Sequence, residues 1–153
     1  MILKNNLQIC EASYKDIPFL ITLLKQLFCI EKDFIFNAQK HEEGLKLLID
    51  NKESIVAVAK FEDEVIAMLT MQTIISTAIG AKAGLLEDFV VSDDYKSMGV
   101  GSHLLEFMKD KALQHNIHRL QLVCDNDNAN AKEFYTKKDF KKSNLSAWYL
   151  LRE

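Results

Sequence analysis

The segment from Leu85 to Leu105, LLEDFVVSDDYKSMGVGSHLL, restricts the fold of this chain more than any other stretch. Its pattern predicts an apolar strand, a short polar turn with a pair of glycines, and then an amphipathic helix. A turn that opens such a helix presents backbone N–H groups at the positive end of the helix dipole, and this favours phosphate binding. Gly99 and Gly101 carry no Cβ atom, so a pyrophosphate can approach the main chain closely.

The stretch from Leu120 to Phe140, LQLVCDNDNANAKEFYTKKDF, repeats the order of strand, turn and helix. The helix carries Ala131, Phe134 and Tyr135 at positions i, i+3 and i+4, which places them on one face. Two such units in succession predict an α/β domain with a mixed sheet. The strand–helix–strand connection from Leu85 to Cys124 should then be a right-handed parallel crossover.

Taken together, the two segments resemble the motifs of the GCN5-related N-acetyltransferases, the GNAT family, whose members use acetyl-CoA. The first family motif is L-x-V-x-x-x-Y-(R/Q)-x-x-G-x-(G/A), and the corresponding residues here are Phe89, Val91, Tyr95, Lys96, Gly99 and Gly101. The second motif is N-x-x-A-x-x-F-Y-x-K-x-G-F, and the corresponding residues are Asn128, Ala131, Phe134, Tyr135, Lys137, Asp139 and Phe140. The order and separation of the motifs also agree, and the resemblance extends from Ile9 to Tyr149.

The resemblance implies that acetyl-CoA is the co-substrate and that both motifs bind it. The implied binding residues are Phe89, Val90, Val91, Lys96, Ser97, Met98, Gly99, Val100, Gly101, Ser102, Asn128, Ala131 and Phe134. The backbone N–H of Phe89 would stabilise the oxyanion that develops on the thioester carbonyl, and Val91 would pair with the pantetheine arm like an added strand. Lys96 departs from the usual Arg or Gln but keeps a positive charge. The two glycines also admit a structural interpretation, as positions where helix and strand pack closely.

Three side chains are candidates for proton transfer. Tyr135 stands where the family has its general acid, whose hydroxyl protonates the departing CoA thiolate, although it also fits a partly buried aromatic residue with its hydroxyl at the surface. Adjacent carboxylates within an apolar strand are costly unless they face a wet cleft. Strand alternation puts Glu87 on the same face as Phe89 and Val91, so Glu87 is preferred as the base and Asp88 is second. Either carboxylate fits two other roles, as a ligand for the ammonium group of the acceptor or as an exposed charge at a strand end.

Residues around the second motif have structural interpretations as well. Asn128 is expected to cap the helix, to bind the pantetheine arm or to do both, with Asp127 as the rival cap. Asp139 replaces the glycine that the family has where the chain turns left-handed after the helix. Aspartate tolerates that conformation better than most residues, so we expect a small loss of stability and no loss of function. The patch Phe34–Phe36 fits an acceptor-pocket wall, a part of the core or a dimer contact.

Hydrophobic periodicity and turn residues predict the remaining elements. Strands are expected at Gln8–Ala12, Ser54–Phe61, Val65–Ser76, Leu85–Val91, Arg119–Cys124 and Leu145–Leu151, with Ala78–Gly84 as a connection. Helices are expected after an N-cap at Asp16 and over Gln39–Asp50, Gly99–His115 and Asn128–Lys138, the third with Leu104, Leu105, Met108 and Leu113 turned inward. The resemblance adds that the sheet is mostly antiparallel, has helices on both faces and splays at its parallel strand pair to admit acetyl-CoA.

Composition excludes several classes of function. The 153 residues suit a single domain over 1–153, and the net charge of -3 provides no basic surface for nucleic acid or an anionic membrane. No apolar run reaches the roughly 20 residues of a membrane helix. The scattered Cys10, Cys29 and Cys124 predict neither a disulfide framework nor a zinc site, and the histidines form no ligand pattern, so no metal is expected. Together with a polar N-terminus unlike a signal peptide, the cysteines predict a cytoplasmic protein.

The resemblance therefore implies an enzyme that transfers an acetyl group from acetyl-CoA to a primary amine, by direct attack in a ternary complex. Acidic positions such as Glu42-Glu43 and Asp93-Asp94 would suit a cationic small-molecule acceptor, for example a polyamine or an aminoglycoside, but a solvated surface explains them better. The alternatives are a protein N-terminus or lysine as acceptor, a longer acyl-CoA as donor, and an acyl-CoA-binding module without turnover. A homodimer formed through the terminal strand around Trp148 is compatible with the family.

Overall fold

The strands form one sheet whose spatial order follows the sequence. The computed structural model describes residues 3–152, and its strands are β1 (Leu7–Glu11), β2 (Ser54–Phe61), β3 (Glu64–Ser76), β4 (Ala81–Val91) and β5 (Ile117–Leu122). Neighbours from β1 to β4 pair antiparallel, and β5 runs parallel to β4. This confirms the predicted mixed, mostly antiparallel sheet with a parallel crossover.

The helices are α1 (Leu3–Asn6), α2 (Ile17–Phe28), α3 (Ala38–Asp50), α4 (Val100–Gln114) and α5 (Ala129–Lys137), with short 3-10 helices at Tyr14–Asp16 and Asp93–Tyr95. Among the described residues, none of these helices is long and apolar enough to cross a membrane. The chain divides into two compact units, one ending at Gln121 and one beginning at Leu122.

The core of the first unit lies between α2, α3 and the sheet. Its members from the helices are Ile17, Leu20, Leu23, Leu24 and Leu45, and its members from the strands are Val56, Val58, Val65, Met68 and Val90. Consecutive residues are buried along Ile55–Ala59 and Val65–Met71, so the central strands are covered on both faces. On α4 the buried side chains are Val100, Leu104, Leu105, Met108 and Ala112.

Helix α2 begins where its N-terminal residues predict. Asp16 precedes the helix and Pro18 lies in its first turn, where the missing N–H costs nothing. The Asp16 carboxylate accepts a hydrogen bond of 2.8 Å from the Ser13 N–H and forms a 2.9 Å ion pair with Lys60. Asp16 is thus buried with a charged partner and a hydrogen bond, as a carboxylate in a core must be.

The small residues before the first motif belong to a strand, so the prediction that Ala78–Gly84 is a connection is wrong over its second half. Strand β4 begins at Ala81, and Gly84 pairs with Thr73 on β3. A Cβ atom on Gly84 would lie 2.8 Å from both Leu120 Cδ2 and Met71 Sδ. The glycine therefore marks a crowded position inside the sheet and not a turn.

Three other predictions are wrong in whole or in part. Residues 141–152 form no strand, because no described strand pairs with them and their large apolar side chains stay exposed, Trp148 at 91% and Leu150 at 89%. Leu113 is 73% exposed and Ala112 is buried in its place. The face that holds Leu105 and Met108 continues at Ala112 after one further turn, and Leu113 lies about 100° away from it. The strand predicted at Arg119–Cys124 also lies earlier, at Ile117–Leu122.

Candidate functional site

A bulge interrupts strand β4 at the two candidate bases. The register pairs Thr70 with Glu87 and Met68 with Val90, so Asp88 and Phe89 together lie opposite Leu69. Asp88 has a φ of 51°, a left-handed conformation that a short polar side chain tolerates. Simple alternation therefore does not run through this part of the strand. Glu87 is exposed, whereas Asp88 and Phe89 are half-buried.

A buried hydroxyl fixes this bulge. Thr70 on β3 is fully buried, and its Oγ1 donates a 3.0 Å hydrogen bond to the Glu87 carbonyl oxygen. The carboxyl group of Asp88 lies within reach of the same hydroxyl, so the single hydroxyl hydrogen is shared between these two acceptors. A threonine in a strand interior thus satisfies polar groups of a neighbouring strand where the bulge disturbs the ladder.

The two carboxyl groups of the bulge have perturbed acidities. Burial raises the pKa of Asp88 to about 6, the negative charges of Glu87 and Glu31 add to the rise, and the hydrogen bond from Thr70 opposes it. Burial also raises the pKa of Glu87. Glu31 follows α2, where its N–H donates to the Leu27 carbonyl. A carboxyl group with a pKa near 6 fits a general base that works near neutral pH.

The turn after β4 contains two left-handed residues and leads into α4. Ser97 and Gly99 have φ values of 63° and 83°, and Gly99 is the N-cap of α4 with no side-chain hydrogen bond at the cap. A Cβ atom built on Gly99 would meet nothing within 4 Å, so the space beside its backbone is open. The first N–H groups of a helix have no partner within the helix, so this open end fits an anion such as pyrophosphate.

The second glycine of the motif has a packing role. A Cβ atom on Gly101 would lie 3.6 Å from Val91 Cγ2 and 3.7 Å from the Phe89 ring, which are ordinary contact distances. Helix α4 therefore lies against the end of β4 at this position. Lys96 forms a 2.7 Å ion pair with Asp93 in the same turn.

Gln26 on α2 connects this helix to the chain where β4 ends and the following turn begins. Its Nε2 donates a 2.8 Å hydrogen bond to the Val91 carbonyl, and its Oε1 accepts a 3.1 Å hydrogen bond from the Asp93 N–H. No motif in the sequence marks Gln26, Thr70 or Glu31. Their roles depend on contacts between segments that are distant in sequence, and no local pattern carries that information.

The second unit contains the residues of the second motif. Asn128 caps α5, because its side chain accepts a 3.1 Å hydrogen bond from the Ala131 N–H. The helix ends at Lys137, and Asp139, two residues later, has a φ of 67°. The N–H groups of Phe140 and Asp139 donate to the carbonyls of Tyr135 and Thr136, respectively. This is a Schellman ending, the left-handed turn for which the family uses glycine.

Tyr135 is held in an aromatic cluster of the second unit. Its ring centroid lies 5.5 Å from that of Phe134 and 5.7 Å from that of Phe140. Burial, with a smaller contribution from Cys124, raises the pKa of Tyr135 to about 12. The hydroxyl thus stays protonated throughout the neutral range and is available as a hydrogen-bond donor.

The aromatic patch after α2 divides into packed and exposed residues. His41 stacks on Phe28 at 4.8 Å and lies 5.1 Å from Phe36, and its Nε2 accepts a hydrogen bond from the Asn37 N–H. Burial lowers the pKa of His41, which favours this neutral acceptor role. Ile35 is 91% exposed. Among the described residues, 3–152, no cluster of acidic, histidine or cysteine side chains has the makings of a metal site.

The fold matches those of solved structures that share little sequence identity with this chain. A transcriptional regulator from Bacillus halodurans C-125 matches with a TM-score of 0.84 and 21% identity, over 95% of this chain and 99% of that chain. An aminoglycoside acetyltransferase, meta-AAC0020, from an uncultured soil metagenomic sample, solved in complex with sisomicin, matches with a TM-score of 0.79 and 19% identity, over 98% and 99% of the two chains.

Sequence comparison defines the family. YhfO of Bacillus subtilis (strain 168), described as an uncharacterised N-acetyltransferase, is 26% identical over 113 residues, which are 74% of this chain and 76% of that protein. The model of the Acetyltransferase (GNAT) family matches residues 21–140. The chain therefore belongs to the GNAT family and is an acyl-CoA-dependent N-acetyltransferase.

Proposed function

We propose that the protein transfers the acetyl group of acetyl-CoA to a primary amine of a small, cationic acceptor, by direct attack in a ternary complex. The observation that carries the proposal is the turn at Gly99. Its left-handed φ of 83°, the open space beside it and the uncapped start of α4 suit a pyrophosphate group. The residues implied for the cofactor thus fit the CoA moiety at this end of β4.

The bulge supports a role for Asp88 as the base. An amine near neutral pH is mostly protonated, so a base must take a proton from it before attack. A carboxyl group with a pKa of about 6 is largely ionised at pH 7 and is still a stronger base than an ordinary aspartate. Glu87, the first choice on strand alternation, is exposed at the bulge and becomes the second candidate in this proposal.

The charges beside the bulge support the proposed acceptor class. Glu31 and Glu87 both act electrostatically on Asp88, so carboxyl groups from the end of α2 and from β4 share one electrostatic environment. An acceptor with more than one ammonium group relieves their mutual repulsion, whereas an acidic acceptor increases it. Polyamines and aminoglycosides have this chemistry.

The chain's own groups account for the remaining steps. Acetyl-CoA supplies the activated acetyl group as a thioester. The backbone N–H of Phe89, in the bulge, is assigned to the thioester oxygen on the basis of the family motif. Tyr135 is assigned as the donor to the departing sulfur, and its pKa of about 12 favours a hydrogen bond to the thiolate over complete proton transfer to a group with a pKa near 8.5.

The test is thiol release from acetyl-CoA in the presence of polyamines, aminoglycosides, amino acids and short peptides, with a control that lacks acceptor. We expect release with a polycationic small molecule and little with neutral amines. Release only with peptides would contradict the acceptor class and favour a protein N-terminus or lysine. Release only when a longer acyl-CoA replaces acetyl-CoA would contradict the donor.

A further inference from the structure

One glutamine fixes the chain where it leaves the sheet for the phosphate turn. Gln26 bonds to the Val91 carbonyl at 2.8 Å through Nε2 and to the Asp93 N–H at 3.1 Å through Oε1. Between them, the Ser92 N–H donates at 2.8 Å to the Ile66 carbonyl on β3. Helix α2 therefore holds residues 91 and 93, and strand β3 holds residue 92 between them.

The segment held in this way controls the direction of the cradle. Asp93 opens the 3-10 helix Asp93–Tyr95, and the left-handed residues Ser97 and Gly99 follow within a few positions. No side chain caps α4 at Gly99, so the turn itself orients the N–H groups at that end. A displacement at Asp93 would pass along this short segment to those groups.

We propose that Gln26 is a positioning residue for acetyl-CoA, which holds Val91 and Asp93 so that the cradle is formed before the ligand binds. The inference rests on the proposed use of acetyl-CoA at the same turn. Apparent affinity falls with the fraction of molecules whose binding site is already formed. The two hydrogen bonds of the Gln26 side-chain amide both contribute to that fraction. Removal of these hydrogen bonds should therefore weaken acetyl-CoA binding about three- to tenfold.

Isothermal titration of the whole protein with acetyl-CoA tests the proposal. Gln26→Met keeps the length of the side chain and removes both hydrogen bonds. Gln39→Met is the matched control, because Gln39 is an exposed glutamine on α3 that bonds at 3.2 Å to Glu43 on its own helix. We expect the dissociation constant to rise about three- to tenfold for Gln26→Met and to stay unchanged for Gln39→Met.

The outcomes separate this proposal from the proposed function. If the wild type binds no acetyl-CoA, the proposed function and the role of Gln26 both fail. If the wild type binds and Gln26→Met binds equally well or more tightly, only the role of Gln26 is wrong. Should Gln26→Met not fold, Gln26→Asn keeps the amide but is too short to bridge both partners, and it should weaken binding in the same way.

Two further readouts distinguish positioning from general stability. With an active acceptor, the KM for acetyl-CoA should rise for Gln26→Met while kcat at saturation stays near the wild-type value, because bound ligand restores the turn. Hydrogen exchange of residues 91–101 should be faster in the ligand-free variant and return to the wild-type rate with acetyl-CoA. A uniform increase of exchange over the whole sheet would overturn the positioning role.

Discussion

At the scale of single residues, the bulge in β4 connects conformation with acidity. Asp88 adopts a left-handed conformation. The hydroxyl of Thr70 on β3 lowers the pKa of Asp88, and the charge of Glu31, which follows α2, raises it. At the bulge, the side chain of Asp88 is half-buried and that of Glu87 is exposed. The same burial that makes Asp88 a suitable base makes its ionised form costly for the folded state.

Asp88→Asn should therefore stabilise the protein at pH 8 while it lowers activity. Folding raises the pKa of Asp88 from 3.8 to about 6. The favourable contribution of protonated Asp88 to the free energy of unfolding is therefore fully present below pH 3.8 and is lost as the pH rises through about 6. This difference corresponds to about 3 kcal/mol at most. Urea unfolding at pH 4 and pH 8 measures it, with Asp110→Asn, an exposed aspartate on α4, as control. A variant less stable than the wild type at pH 8 would contradict the assignment.

Thr70→Val should move the pH dependence of kcat/KM to higher pH. The hydrogen bond from Thr70 lowers the pKa of Asp88, so its removal raises that pKa, and valine keeps the β-branched shape in the strand. Thr70→Ser retains the hydroxyl and serves as the rescue variant. A profile that moves equally in both variants, or in neither, would show that the hydroxyl does not set the acidity of the base.

At the scale of elements, the junction of β4 and α4 combines two glycines with different duties. Gly99 provides a backbone conformation and open space, whereas Gly101 provides contact between the helix and the side chains of Phe89 and Val91. Alanine at the two positions should then affect ligand binding differently and change the free energy of unfolding in opposite directions. This contrast separates phosphate binding from helix packing.

Gly99→Ala should weaken acetyl-CoA binding at least tenfold, since its Cβ atom enters the open space and its φ of 83° strains the turn by about 1–2 kcal/mol. Gly101→Ala should retain binding and raise the free energy of unfolding by about 0.5–1 kcal/mol, because alanine favours the helix and meets only ordinary contacts. Titration with acetyl-CoA and urea unfolding measure both effects. Equal loss of binding in the two variants would place the phosphates elsewhere.

At the scale of the whole molecule, the terminal residues contribute little buried surface. The large side chains Leu145, Trp148, Leu150 and Leu151 are between 75% and 91% exposed. A segment with such exposure adds little hydrophobic stabilisation to a monomer. Exposed apolar patches of this kind often mark surfaces that bind another molecule. The predicted homodimer through this segment stays a prediction.

Removal of residues 145–153 should lower the free energy of unfolding of a monomer by less than about 1 kcal/mol. Urea unfolding over a hundredfold range of protein concentration measures this, with sedimentation to establish the oligomeric state. A large loss of stability that depends on concentration would show that a second copy covers the segment. The single tryptophan, Trp148, reports such a contact by a blue shift of its emission.

The sequence by itself determined the features that depend on local pattern. Strand Ser54–Phe61 and the start of α4 beside Gly99 follow from periodicity and backbone freedom near each position. Asn128 is one of the two caps expected from the sequence, and the left-handed turn at Asp139 is expected from the family motif. The two motifs likewise identified the family, because their residues and spacing are local. The single-domain prediction and the site residues remain predictions.

Only the tertiary structure decided the features that depend on distant partners. The bulge at Asp88 arises from the register between β3 and β4, the acidity of Asp88 from Thr70, Glu31 and burial, and the Gln26 bridge from α2 lying beside the end of β4. The absence of a strand at 145–151 has the same origin, because a strand needs a neighbour to pair with. Burial and hydrogen-bond partners are set by packing across the chain, and they shift energies that no short segment of sequence specifies.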